Sequence, residues 1–125
     1  MTMIRCLTLL ALVVAAPLSG TAAESAAHRD PSAMTVEERT TIMTRVNDYN
    51  GCVYKESMAR VEALPDIRQA ADEGMTACQG ALDAISETIA GFNFEPGFAD
   101  QFVRHTQSRA VRMLIPELSL RKGGQ

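Results

Sequence analysis

Two sets of residues have types and spacing that could do chemistry. The first is Phe98, Phe102, His105, Arg109 and Arg112. At about 100° per residue they fall along one stripe of a helix. Guanidinium forks suit carboxylate or phosphate, and the phenylalanines would add apolar contact. The stripe is therefore a candidate surface for an acidic protein partner or an anionic component of the cell envelope. The ordinary alternative is that the phenylalanines are core and the cations lie near a helix C-terminus, where the dipole favours them. The second set is Cys52 and Cys78, each thirteen residues from Pro65. In an antiparallel helix pair turning at Pro65, equal arms bring the two cysteines to the same height. Facing helices pack closely enough for a disulfide there.

Catalysis finds little in this sequence. His105 is the one histidine expected in a folded element, since His28 lies in a polar stretch. A nucleophile needs a base beside it, usually oriented by a third group, and the order of Ser, His and Asp residues suggests no such set. There is no glycine-rich phosphate loop, no haem-attachment motif and no histidine–carboxylate spacing for a metal. The cysteines are too far apart for a CxxC redox pair. We expect no catalytic residue, no metal and no cofactor.

The elements that position these residues read as all-α. Thr35 and Glu38 fit a capping box that opens the first helix. Ile42, Val46, Tyr49 and Val53 follow at helical spacing, with Cys52 beside them. Pro65 stops that helix and suits the first position of the next. In the second helix, Ala71, Met75, Cys78, Leu82, Ile85 and Ile89 run at spacings of four and three, ending at Gly91. Phe92 and Phe94 are expected to cap the open end of the hairpin. Pro96 begins the third helix, with Ala99, Val103, Thr106, Ala110, Met113 and Leu114 as its core face. Pro116 is expected to break or kink it, which leaves room for a short fourth helix. Met43, Met58, Met75 and Met113 read as adaptable core, with an adaptable groove as the alternative. The fold expected is a small three-helix bundle built on a disulfide-linked antiparallel hairpin.

The chain has 125 residues and a formal net charge of −3. Arg5, the apolar run Leu9 to Pro17 and the small residues up to Ala23 have the layout of a secretory signal peptide. The run is too short for a comfortable membrane span. We therefore expect residues 1–23 to be a signal peptide, 24–34 a flexible leader, 35–120 a single helical domain and 121–125 a disordered tail. Two cysteines then remain in the exported chain, an even count that argues for a bridge.

Charge is unevenly spread. Residues 24–100 carry fourteen acidic and six basic side chains, whereas 101–125 carry one acidic and five basic. A net negative chain with one short basic stretch is not expected to bind nucleic acid. The sum of these observations is a small binding protein of the bacterial periplasm, or a secreted one, with a chaperone-, inhibitor- or immunity-like role. A carrier of a small apolar ligand between the helices is the alternative, and a small enzyme is the weakest reading.

Overall fold

A computed structural model of the chain describes residues 27–124. The expected signal peptide, 1–23, lies outside the described residues. The described chain is an all-α bundle of four helices: α1 (Val36–Arg60), α2 (Ile67–Ala77), α3 (Gln79–Gly91) and α4 (Phe98–Gly123). The helical bundle and its bridge are as expected. Cys52 and Cys78 are joined, with their Cα atoms 6.0 Å apart.

The capping box forms at the start of α1. The Glu38 N–H donates to Thr35 Oγ1 at 3.1 Å, and the Thr35 N–H donates to Glu38 Oε2 at 2.9 Å. One face of α1 is buried at Ile42, Val46, Tyr49, Val53 and Ser57. Asp66, rather than Pro65, begins the return: its carboxylate accepts from the Arg68 N–H at 2.8 Å and caps α2.

The expected second helix is divided. Its apolar periodicity continues unbroken, and Ala71, Cys78, Leu82, Ile85 and Ile89 are all buried. The backbone nevertheless leaves helical angles at Cys78 (φ −100°, ψ 14°), which separates α2 from α3. Gly74 and Gly80 flank this point and are poor helix formers, and the bridge ties Cys78 to α1. Four helices result where periodicity alone counted three.

α2 lies close against α1. A Cβ added at Gly74 would fall 2.0 Å from Ser57 Oγ and 2.9 Å from the Ser57 nitrogen. Glycine is required there by proximity to another backbone, not by its own dihedral angles. Ala70 and Ala71 extend the same small-residue seam.

α4 packs on the other three helices through Thr106, Ala110, Leu114 and Leu118. Pro116 does not end it. Proline removes one helical hydrogen bond, here at the Arg112 carbonyl. Pro116 is exposed, and buried Leu114 and Leu118 hold the helix on both sides of it. The segment 121–125, expected to be loose, is helical to Gly123. Arg121 Nε donates to Glu62 at 2.9 Å, and Lys122 Nζ donates to the Leu64 carbonyl. These contacts fasten the end of α4 to the α1–α2 turn.

The described part of the expected leader is likewise held. Arg29 pairs through its backbone with the α3–α4 connector: its N–H donates to Asn93 O at 2.8 Å, and its carbonyl accepts from Glu95 at 3.0 Å. Its guanidinium grips both oxygens of Glu38, at 2.6 and 3.1 Å. Pro31–Ala33 then form a single 3-10 turn before α1.

Candidate functional site

The five-residue stripe on α4 separates into two parts. Phe98 and Phe102 are half-buried at the end of the bundle. They continue a chain of edge-on and tilted rings from Phe92 and Phe94, with centroid spacings of 6.2, 5.5 and 6.0 Å. Arg29 lies over the Phe94 ring, 4.9 Å from its centroid. These phenylalanines close the core, as expected of Phe92 and Phe94.

His105, Arg109 and Arg112 are exposed. Arg104 joins them, although it lies off the stripe read from the sequence. From Gln101 to Pro116 the helix carries three arginines, one histidine and no carboxylate. None of Arg104, Arg109 and Arg112 makes an ion pair among the described residues, whereas Arg29, Arg45, Arg60 and Arg121 each do. Arg39 and Arg68 make none either, so what sets this side of α4 apart is the absence of any carboxylate from 101 to 116. His105 makes no side-chain hydrogen bond among the described residues. At about 100° per residue, Arg112 lies on the outer side, Arg109 about 60° from it on the flank toward α1, and Arg104 about 80° from it on the opposite flank.

On that flank is a groove between α1 and α4, of about 350 Å³. Asn50, Val53 and Tyr54 line it from α1, and Met113, Leu114 and Glu117 from α4. Met113 was expected in the core but is 59% exposed, and Tyr54 is 49% exposed. Met113 sits at the edge of the apolar arc of α4, where α1 does not reach over it. Met43 is exposed as well, while Met58 and Met75 pack against the core. Asn50 Oδ1 is buried without a hydrogen-bond partner among the described residues. Tyr49 is fully buried with an unpaired hydroxyl, and burial pushes its phenol pKa up.

At the N-terminal end of α1, the Arg29 guanidinium holds the Glu38 carboxyl down at about 2, with the Thr35 N–H acting in the same direction. This pair is structural. It joins the segment before α1 to the α3–α4 connector, where Arg29 also donates to Phe92 O at 3.2 Å.

Sequence reasoning missed Arg104, the groove and the Arg29 clamp. The carboxylate-free run 101–116 was the available signal for Arg104. The groove and the clamp join residues far apart in the chain, which periodicity does not report. Among the described residues, no group of three or more His, Cys, Asp and Glu side chains could hold a metal ion. No helix among them is long and apolar enough to cross a membrane. Comparison with family models, curated proteins and solved structures found no match.

Proposed function

We propose that this chain is a small exported binding protein of the bacterial periplasm that captures an acidic protein partner on the outer side of α4. The observation that carries the reading is the set Arg104, Arg109 and Arg112, spread across the solvent side of α4, exposed, without ion pairs among the described residues and on a helix free of carboxylates from 101 to 116. Such a patch steers and orients a negatively charged partner more than it supplies raw affinity. The disulfide from α1 to the α2–α3 junction suits an oxidising compartment. A chaperone-, inhibitor- or immunity-like role would use the same surface.

Native mass spectrometry of the protein isolated gently under non-reducing conditions tests this. A protein-sized companion should be retained, and Arg104→Ala with Arg112→Ala should release it without loss of fold. A companion that the double variant keeps would remove α4 from the reading. Retention of an anionic envelope component in place of a protein would change the partner class.

A second reading, a carrier of a small apolar ligand, has one observation behind it: the α1–α4 groove of about 350 Å³. It requires a small-molecule mass in the same spectrum, lost on Met113→Glu.

A further inference from the structure

Arg109, Met113 and Glu117 are spaced four residues apart on α4, so they form one ridge along the edge of the groove. All three are exposed, and neither Arg109 nor Glu117 makes an ion pair among the described residues. They lie about 12 Å apart along the helix axis, at about 1.5 Å per residue, and do not neutralise each other. Met113 stands midway between them. The ridge therefore reads cation, apolar residue, anion, with its centre on the apolar residue.

Such an order is complementary to itself in only one sense. If a second α4 crosses antiparallel about a two-fold axis at Met113, Arg109 meets Glu117 of the second copy, Met113 meets its own counterpart, and Glu117 meets Arg109. A parallel crossing would set like charge against like. A two-fold interface must match its own patch in this way.

We propose that a second copy of this chain covers the α1–α4 groove through an antiparallel contact of α4 with α4 centred on Met113. Two further observations fit this occupant. Tyr54 stands half-exposed beside Met113 and would be covered with it. Leu120, 72% exposed and two turns beyond Met113, extends the apolar row. The contact leaves Arg104 and Arg112 facing outward. The partner face thus gives up Arg109 to the contact and keeps Arg104 and Arg112, on which its own test rests.

The test is sedimentation equilibrium of the oxidised protein, with native mass spectrometry to read composition. The wild type should associate to a dimer. Arg109→Glu and Glu117→Arg should each weaken it by at least ~10-fold, because each sets like charges together twice. An equimolar mixture of the two variants should recover association as a heterodimer, within ~3-fold of wild type, since both cross-pairs are then of opposite sign. The double variant should recover it as a homodimer. Circular dichroism of each single variant at low concentration checks that the helices are intact. A wild type that stays monomeric up to about 1 mM, a dimer indifferent to both reversals, or a mixture that does not recover would each overturn the proposal. Capture of an acidic partner is scored separately with Arg104 and Arg112.

Discussion

At the seam between α1 and α2, Gly74 lies so close to Ser57 that one added carbon would meet the hydroxyl at 2.0 Å. On the solvent side and flanks of α4, three arginines make no ion pair among the described residues, and Met113 is more than half exposed. The first region uses small side chains, a buried stripe and a covalent bridge to bring two helices together. The second spends its length on charge that nothing nearby neutralises. Tight packing is stabilising because interiors leave few voids. Exposed like charge does little for stability and acts on encounters. The α1–α2 side is built for close packing, and α4 carries the exposed charge on which the proposed partner would dock.

Removing the bridge should have the largest effect on this contrast. Cys52→Ser with Cys78→Ser should cost about 3 kcal/mol, read by urea denaturation, because the bridge closes a loop spanning 26 positions. A loss under about 1 kcal/mol would mean that the seam is held by packing alone. Gly74→Ala comes next, at about 2 kcal/mol, within the range for overpacking. Ser57→Ala should be neutral or stabilising by up to about 1 kcal/mol, since its buried hydroxyl has no partner among the described residues. Combined with Gly74→Ala it should recover part of the loss, leaving the share due to the backbone nitrogen. If the two substitutions simply add, the close approach does not run through the hydroxyl.

A smaller effect is expected from the Arg29–Glu38 clamp. The folded Glu38 carboxyl is held at about 2, below its ordinary value of 4.5. Its contribution is thus complete above about 4.5 and is lost as pH falls toward about 2. Glu38→Gln should flatten the pH dependence of the denaturation midpoint in that window and leave its slope unchanged above it. Equal slopes in both proteins would place the acid sensitivity elsewhere. The smallest stability effect belongs to α4. Arg104→Ala with Arg112→Ala should change stability by no more than about 0.5 kcal/mol, as expected for surface positions without partners. A larger loss would give these arginines a structural role and weaken the contrast.

The sequence by itself determined which residues face inward. The spacing of Ile42, Val46, Tyr49 and Val53, and of Cys78, Leu82, Ile85 and Ile89, named most of the core, because a helix repeats its face every three to four residues. It also determined the capping box at Thr35 and Glu38 and the pairing of Cys52 with Cys78. Those features are local, or depend on two arms of equal length. Tertiary structure alone decided that the second apolar run divides at Cys78, because the same periodicity continues across the break. It decided that α4 passes through Pro116, where the packing of Leu114 and Leu118 outweighs one lost hydrogen bond. It also separated Phe98 and Phe102 from Arg109 and Arg112, and placed Met113 and Glu117 beside Tyr54. A helix specifies its own faces through its period. What covers each face is settled by segments far away in the chain.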